Sequence, residues 1–353
     1  MMQMMKCFHL TGFRSQLVPT DKPIPQPTGT EVVLKVLAAG VCHSDVHLWE
    51  GNYDLGNDQT LSFEGRVKFP LTLGHESTGE VTAVGPDSKD VKVGDKCLIC
   101  SWIGCRQCAF CAQGDEHLCL APRFLGVNRD GGYADHIVVP HDRYLIDLKG
   151  LDPIAAAPLA CSGLTTYSAL KKAGPRLADD PVVIVGAGGL GMMAISLVKL
   201  MGGKGAVVVE LDPQKRKAAM DAGAIAAIDP KASDVDKQIR DALGAPVYFV
   251  LDLVGSGETA ALGFRLLDKG GKLVVVGLFG GAMSLSVPMV TMRAVSIVGS
   301  YIGSPDELRE LVKLVQANGV PAIPLDKRRL EDANTALADL RAGKVMGRVV
   351  LVP

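Results

Sequence analysis

The sequence predicts an α/β fold in which a doubly wound parallel sheet is joined to a second, β-rich part of the chain. From Pro181 to about residue 298, short apolar runs typical of strands alternate with helical patterns. Glycine supplies 40 of the 353 residues and aromatic side chains only 5%, which suits aliphatic strands joined to helices by tight turns. The chain is long enough for two domains of about 150 residues each.

The first third of the chain is dominated by short strands. Apolar, β-rich runs predict strands at Glu31–Ala39, Gly79–Val84 and Asp135–Val139. The prolines between Pro19 and Pro27 exclude a helix in that segment. Between Pro153 and Ala173 the pattern lengthens into that of a helix.

The alternating region begins at Pro181. Its predicted elements are the strand Val182–Val185, the helix Gly189–Met201, the strand Ala206–Leu211, the helix Pro213–Ala222, and the strands Ala226–Ile228, Tyr248–Leu253, Lys272–Gly277 and Ser296–Val298. This order is that of a doubly wound parallel sheet.

The end of the chain is expected to return to the first part. Two helices are predicted at Asp306–Ala317 and Leu330–Ala342, followed by a last strand at Gly347–Val352 that resembles the early region. We therefore expect one discontinuous domain, residues 1–158 and 298–353. Residues 159–297, which contain the alternating region, are expected to form a second domain inserted into it.

Charge and hydropathy narrow the possible partners. The formal net charge is −1, so the chain has no electrostatic footprint for nucleic acid or an anionic membrane. Two uncharged runs, Val182–Val198 and Leu273–Met292, approach the length of a membrane span, but glycine clusters interrupt both. We interpret them as buried strands joined by turns. The first residues, MMQMM, lack the basic start and apolar stretch of a signal peptide, which favours a cytoplasmic location.

A glycine-rich turn follows the strand that begins the alternating region. The run VVIVGAGGLG places Gly186, Gly188 and Gly191 in the spacing GxGxxG directly before a predicted helix. Glycines let backbone N–H groups approach a pyrophosphate, and the helix N-terminus adds partial positive charge. The sequence therefore predicts a dinucleotide site.

An acidic residue at the end of the next strand indicates which dinucleotide binds. Glu210 lies 19 residues after Gly191, where a carboxylate accepts the hydroxyls of the adenine ribose and repels a 2′-phosphate. This favours NAD over NADP. The alternative for Glu210 is a solvated residue at the end of a strand, with no role in binding. The nearby cations Lys215 and Arg216 could weaken the preference for NAD.

Soft ligands are confined to the first half of the chain, since all nine cysteines lie at or before Cys161. Four of them have the spacing of a closed tetrahedral zinc site that folds a loop, within a lobe at about residues 97–120; they are Cys105, Cys108, Cys111 and Cys119. The alternatives are reduced surface cysteines and a nucleic-acid zinc finger. The second is disfavoured because the lobe is not basic. Cys97 and Cys100 are assigned to a strand interior.

Three further residues have no local spacing motif, because 33 and 86 residues separate them. Cys42 lies in GVCHSDVH, His75 in LTLGHESTGE and Cys161 in APLACSGLTTY. These segments resemble the zinc-dependent alcohol dehydrogenases of the medium-chain dehydrogenase/reductase family. The resemblance extends to the cysteine lobe, the phosphate loop and the closing GRVVL, so it covers nearly the whole chain. It is strongest to tetrameric prokaryotic NAD-dependent enzymes.

The resemblance implies a GroES-like β-rich catalytic domain, a Rossmann domain and a catalytic zinc. Cys42, His75 and Cys161 would hold this zinc, with Glu76 as an alternative ligand and the fourth position open to alcohol or water. Asp45 would orient His75. Two zinc ions per chain are therefore expected, one catalytic and one structural.

The resemblance also implies contacts to substrate and cofactor. Ser44 would accept the alcohol proton and pass it through the cofactor ribose to His47. Taken alone, His47 could be a surface histidine. Trp102 would line the substrate pocket rather than the core. The residues implied in contacts to NAD, besides those of the glycine turn and Glu210, are His43, Thr165, Gly189, Leu190, Gly277, Leu278 and Arg348. Many relatives have arginine at the position of His43, which could weaken cofactor binding and make it sensitive to pH.

The favoured function is reversible oxidation of primary or secondary alcohols to aldehydes or ketones by hydride transfer to NAD, in a homotetramer. A polyol or another specialised alcohol as substrate is the first alternative. A zinc-free quinone or enone reductase of the same fold would lack Cys42, His75 and Cys161. A non-enzymatic zinc or nucleotide-binding module is disfavoured by the open metal site.

Overall fold

A computed structural model describes residues 3–353, so Met1 and Met2 of the run examined for a signal peptide lie outside it. The strands within residues 3–353 are β1 Met4–Leu10, β2 Val18–Pro23, β3 Val32–Val41, β4 Asn52–Gly56, β5 Gln59–Ser62, β6 Leu71–Thr72, β7 Glu76–Val84, β8 Lys96–Ile99, β9 His136–Val139, β10 Leu145–Asp147, β11 Val182–Val185, β12 Ala206–Val209, β13 Ala226–Ile228, β14 Phe249–Asp252, β15 Lys272–Val275, β16 Ser296–Gly299, β17 Leu325–Arg329 and β18 Arg348–Val352.

Helices connect most of the later strands. Their bounds are α1 His43–Glu50, α2 Ala109–Ala112, α3 Pro153–Ala156, α4 Ser162–Lys171, α5 Arg176–Asp179, α6 Gly189–Leu200, α7 Pro213–Asp221, α8 Val235–Leu243, α9 Gly257–Leu266, α10 Val287–Arg293, α11 Pro305–Asn318 and α12 Ala333–Arg341. Among residues 3–353, no helix is long and apolar enough to cross a membrane.

The predicted parallel sheet is confirmed. Its order is β13-β12-β11-β14-β15-β16, and every pair in it is parallel. All four residues of β11 and of β12 are buried, as expected where helices cover both faces of a sheet. The chain passes from β11 outward to β12 and β13 and then crosses to β14, so the order reverses beside β11. Ligands of such sheets bind at this switch point.

The β-rich part is built on a sheet of order β10-β8-β7-β3-β18-β17, with β9 also paired to β3. β18 pairs antiparallel with β3, placing Val349 opposite Val41 and Leu351 opposite Ala39. The last strand of the chain therefore lies beside one of the first, as its sequence predicts. Two smaller sheets, β2-β1-β6 and β4-β5, complete the strands.

Two interpretations of uncharged runs are wrong in part. Val182–Val198 is a single strand followed by the helix α6, and Leu273–Met292 is a strand, an irregular segment and most of the helix α10. In α10 the apolar side chains of Val287 and Met292 are 71% and 63% exposed, so this apolar segment is not buried. Pro288 in its first turn favours the helix, because the missing N–H has no intrahelical partner at that position.

The helix predicted between Pro153 and Ala173 is interrupted. α3 ends at Ala156, a 3₁₀ segment covers Ala157–Ala160, and α4 begins after Cys161. Cys161 has φ −130° and ψ −68°, outside the helical region, so the helix is broken at this residue. The break thus places a cysteine at the start of a buried helix.

Candidate active site and metal centres

Four buried side chains from separate parts of the chain meet in one cluster. Cys42 precedes α1, His75 directly precedes β7, Glu76 is the first residue of β7, and Cys161 precedes α4. One ligand atom from each lies within 4.8 Å of the others. The structure therefore brings together the three residues that only the family resemblance connected, with Glu76 among them.

Asp45 joins two members of this cluster. Its Oδ1 lies 3.1 Å from His75 Nδ1, and its Oδ2 accepts hydrogen bonds from the backbone N–H of Cys42 and the hydroxyl of Tyr133. The N–H of Gly74 also points to Oδ1. The carboxylate therefore orients the imidazole so that Nε2 faces the other ligands. Tyr133 has no sequence signal for this role, since it lies 88 residues from Asp45.

The cluster fits a zinc ion. His75 Nε2 and Glu76 Oε2 are buried and have no hydrogen-bond partner, which is costly unless a metal binds them. A hydrogen bond from the Cys161 thiol lowers the pKa of Cys42, so the pair already favours one thiolate. Two sulfurs and one imidazole nitrogen are the donors that zinc prefers, and with these three a fourth position stays open.

The four-cysteine lobe is a second candidate metal centre. Its sulfurs also lie within 4.8 Å of one another, with Cys108 Sγ 3.5 Å from Cys111 Sγ and 3.9 Å from Cys119 Sγ. Backbone N–H groups of Cys111 and Leu120 lower the pKa of Cys108 to about 6. Four sulfurs close a tetrahedral site and leave no position for a substrate.

The neighbouring cysteine pair has a different environment. Cys97 lies in β8 and Cys100 directly after it, and both are buried. Burial raises the pKa of each thiol to about 12, which keeps both protonated. Cys97 lies in a strand, as the sequence predicts, whereas Cys100 directly follows that strand, and both lie outside the two clusters.

Glu116 anchors the lobe to the rest of the domain, a role that sequence reasoning missed. Its buried carboxylate accepts hydrogen bonds from the N–H of Gly104 at 2.9 Å and the hydroxyl of Tyr144 at 2.6 Å, and lies 3.0 Å from Arg143 Nη2. Glu116 lies between the third and fourth lobe cysteines, so it ties the metal loop to the segment before β10. Its position three residues before Cys119 is the only local signal.

Replacing Glu116 with glutamine should loosen this anchor. The amide loses the charge-assisted bonds, so we expect the free energy of unfolding to fall by about 1–3 kcal/mol. Thermal unfolding and release of lobe zinc to a colorimetric chelator measure the effect. The exposed Glu64→Gln is the matched control. Unchanged stability and unchanged zinc release in Glu116→Gln would refute the anchoring role.

Arg348 connects the first cluster to the phosphate loop. Its Nη2 lies 3.0 Å from Glu76 Oε1, and its Nη1 donates to the carbonyl of Val41 at 3.2 Å. A Cβ placed on Gly189 would lie 3.4 Å from the guanidinium carbon. Burial raises the pKa of Glu76 to about 8, and the Arg348 charge opposes this rise. The family resemblance implies a pyrophosphate contact for Arg348, but it gave no indication of the ion pair with Glu76.

The phosphate loop has the geometry that its glycines predict. Gly186 has φ +96°, a conformation that favours glycine, and α6 begins at Gly189. A Cβ on Gly191 would collide with the carbonyl of Gly186. Glu210 accepts hydrogen bonds from the N–H of Ala187 at 2.7 Å and of Asp212 at 2.9 Å. Glu210 is therefore not a solvated strand end, because it holds the loop.

The residues predicted for proton transfer lie on α1. Ser44 Oγ lies 3.8 Å from Cys42 Sγ. The ring of His47 packs against Tyr53, with 4.9 Å between ring centroids. Burial lowers the pKa of His47, so its imidazole is neutral at pH 7. Burial likewise lowers the pKa of His43 at the start of the helix.

The remaining predicted contacts surround the same region. Trp102 is buried, donates from Nε1 to the carbonyl of Ala160, and lies 5.2 Å from the His75 ring, so it forms part of the cluster's wall. The buried Thr165 donates its N–H to the carbonyl of Cys161. Gly277 packs against the backbone of Val254, and Leu278 is 44% exposed.

Comparison with known proteins gives the family. The family model for the alcohol dehydrogenase GroES-like domain matches residues 28–149, and that for zinc-binding dehydrogenases matches residues 189–317. The chain is 39% identical to an NAD-dependent alcohol dehydrogenase of Sulfurisphaera tokodaii over 99% of its length and 100% of the relative.

Two further relatives extend the comparison. A D-arabinose 1-dehydrogenase (NADP(+)) of Saccharolobus solfataricus is 32% identical over 98% of this chain and 96% of that protein. The crystal structure of the alcohol dehydrogenase from Aeropyrum pernix superposes with a TM-score of 0.87 at 32% identity, covering 99% of this chain and 100% of that one. With its two metal-ligand clusters, phosphate loop and full-length matches, this chain belongs to the zinc-dependent alcohol dehydrogenases of the medium-chain dehydrogenase/reductase family.

Proposed function

We propose that the chain oxidises primary or secondary alcohols reversibly to aldehydes or ketones, with hydride transfer to NAD. The observation that carries the proposal is the buried cluster of two thiols, an imidazole and a carboxyl group, with Arg348 contacting the carboxyl group and lying beside Gly189 of the phosphate loop. Zinc bound by Cys42, His75 and Cys161 supplies Lewis-acid chemistry that lowers the pKa of an alcohol. Glu76 serves as the alternative ligand.

Proton removal is assigned to Ser44 and His47. The Ser44 hydroxyl lies near the Cys42 sulfur and so beside the position that an alcohol would take. Ser44 would accept the alcohol proton and His47, on the same helix, would release it to solvent, and the ribose hydroxyls of bound NAD would supply the hydrogen-bonding groups between them. The lowered pKa of His47 supports the assignment, because a neutral imidazole can accept a proton at pH 7. Asp45 is a positioning residue, since it acts through His75 and Cys42.

His47→Gln should slow turnover most at low pH. The wild-type imidazole stays neutral into mildly acidic solution because its pKa is lowered, whereas the variant depends on hydroxide or buffer as the final proton acceptor. The ratio of wild-type to variant kcat should therefore grow from about pH 9 down to about pH 6. Imidazole buffer should partly restore the variant. A ratio that is independent of pH and of buffer would contradict the assignment.

The cofactor site is assigned around the glycine turn. His43, Arg348 and the backbone of Gly188, Gly189 and Leu190 would contact the pyrophosphate, in keeping with the position of Arg348 beside Gly189. The nicotinamide would lie against three further residues, which are Thr165, Gly277 and Leu278. The carboxylate of Glu210 at the loop supports a preference for NAD, since it would repel a 2′-phosphate.

Domain limits and location are part of the proposal. Residues 1–158 and 298–353 would form the catalytic domain and 159–297 the NAD domain, a division supported by the pairing of β18 with β3. None of the nine cysteines, all of which lie among the described residues, forms a disulfide, which supports a cytoplasmic location. The near-neutral net charge supports a small-molecule partner rather than nucleic acid.

A homotetramer is supported by the exposed edge of the parallel sheet. β16 is the last strand in the sheet order, and Ile297 on it and Tyr301 just after it are 38% and 50% exposed. An apolar strand edge is a template for a second chain. Ile297→Asp should therefore shift the assembly to smaller species in light scattering, while Val93→Asp, at an exposed apolar site elsewhere, should not. A wild-type monomer at working concentration would contradict the proposal.

The direct test is a panel of alcohols assayed by nicotinamide absorbance. Primary and secondary alcohols should give NAD-dependent reduction of the cofactor, abolished by metal chelation and restored by zinc. A pentose belongs on the panel, because one relative at 32% identity is a D-arabinose dehydrogenase. If D-arabinose gives the highest kcat/KM, the specialised substrate replaces simple alcohols in the proposal. No turnover with any alcohol or sugar would overturn it.

A further inference from the structure

Arg216 is held close to the carboxyl end of β12. Its Nη1 lies 2.7 Å from the carbonyl oxygens of both Glu210 and Leu211, and 3.2 Å from Asp229 Oδ2. Asp229 directly follows β13, and the N–H of Glu210 donates to the carbonyl of Ile228. A hydrogen bond thus joins the ends of β12 and β13, and Asp229 at the end of β13 contacts the Arg216 side chain.

This turn is the rim at which the adenine ribose binds in the proposed function. Both carboxylate oxygens of Glu210 accept backbone N–H groups there. Arg216 is tied to the carbonyls of this same turn, and its side chain is only 21% exposed. Among the described residues, the hydrogen bonds that the Arg216 side chain donates all come from Nη1, so its Nε and Nη2 can donate to a ligand. A guanidinium with two free donors suits bidentate binding of a phosphate.

We propose that Asp229 is a specificity-determining residue that keeps the cofactor preference on NAD. Its carboxylate neutralises the guanidinium and, together with the two carbonyl oxygens, fixes Nη1 against the turn, so that the charge of Arg216 is not available to a 2′-phosphate. Around the rim, the carboxylates of Glu210, Asp212 and Asp229 outnumber the cations of Lys215 and Arg216, and removing one carboxylate balances them. This inference rests on the proposed function and specifies its cofactor site. Arg216 therefore does not soften the NAD preference while Asp229 holds it.

The test is Asp229→Asn in the zinc-loaded, full-length enzyme, assayed with NAD and NADP and one alcohol. The variant keeps the side-chain shape and loses the charge. The ratio of kcat/KM for NADP to that for NAD should rise about tenfold, the fold-change of roughly one charge-assisted hydrogen bond. The gain should appear in KM for NADP rather than in kcat, and it should shrink as salt is added.

Two further variants separate release of Arg216 from simple loss of negative charge. Asp221→Asn makes the same charge change on the exposed Lys217–Asp221 pair of α7, and should leave the cofactor ratio unchanged. The double variant Asp229→Asn with Arg216→Gln should lose the gain. If the double variant keeps the gain, direct repulsion by Asp229 is the cause and the proposal is wrong.

Binding of adenosine 2′,5′-bisphosphate, measured by calorimetry, gives a readout independent of turnover. Affinity for this probe should rise in Asp229→Asn relative to wild type, with adenosine 5′-monophosphate as the reference ligand. Equal affinities in the two proteins would overturn the inference, even where NAD-linked oxidation is intact. Absence of oxidation with either cofactor would instead overturn the proposed function, while the calorimetric comparison still decides the role of Asp229.

Discussion

Replacing Ser44 with alanine is expected to lower kcat by about 10²–10⁴-fold, the range typical of a lost general acid–base group. Ser44 is two residues after Cys42, and its hydroxyl lies 3.8 Å from that sulfur, so the turn that positions a proposed zinc ligand also positions this hydroxyl. Zinc content and NAD affinity should stay near wild type, because Ser44 is assigned to neither site.

Ser44→Thr is the matched control, since it keeps a hydroxyl at the same position and should retain most of the turnover. A deuterated alcohol shows whether hydride transfer limits the rate in each variant. If Ser44→Ala keeps most of its turnover while the isotope effect shows hydride transfer to be limiting, the proton path through Ser44 is wrong. The zinc assignments would be unaffected.

Arg348→Gln should weaken both the fold and the binding of NAD. The change leaves Glu76 buried without its cation, and above pH 8, where this carboxyl with its pKa of about 8 is ionised, breaking the buried ion pair costs about 3–5 kcal/mol. The dissociation constant of NAD should rise as well, because the guanidinium lies beside Gly189 at the phosphate loop. Chemical denaturation and fluorescence titration with NAD measure the two effects separately.

The double variant Arg348→Gln with Glu76→Gln tells the two roles apart. Removing the carboxylate together with its cation should recover most of the free energy of unfolding but not the affinity for NAD. If NAD binds to Arg348→Gln as tightly as to the wild type, Arg348 has no part in the cofactor site. If the stability is also unchanged, the ion pair contributes nothing to the fold.

Sequence patterns predicted the parts of the molecule that are formed by residues close together in the chain. The parallel sheet follows from aliphatic strands such as Val182–Val185 that are buried on both faces. The phosphate loop follows from glycines that must adopt a positive φ or a close approach, as at Gly186 and Gly191. The cysteine lobe follows from ligand spacing within 15 residues, from Cys105 to Cys119.

The contacts that complete the site depend on pairing between distant segments. Cys42, His75 and Cys161 meet because β3, β7 and the break before α4 converge, and no spacing rule connects them. The ion pair of Arg348 with Glu76 depends on β18 returning to β3.

Short or exposed helices also escaped prediction, since their sequences lack a helical apolar pattern. In α1 the eight residues after Cys42 include only three buried side chains, and two of these are apolar. None of the residues of α10 is buried. Hydrophobic periodicity reports burial, so a helix without a buried face leaves little trace in the sequence.

The central claim is that one open zinc site performs the oxidation while a second, closed zinc site folds a loop. It is tested most directly by stepwise chelation, with zinc per chain, NAD-dependent alcohol oxidation and far-UV circular dichroism recorded on the same samples. We expect two zinc ions per chain, loss of all activity as the first is removed, and an unchanged spectrum until the second leaves. Active enzyme with no more than one zinc per chain, or activity that survives removal of the first, would contradict the account.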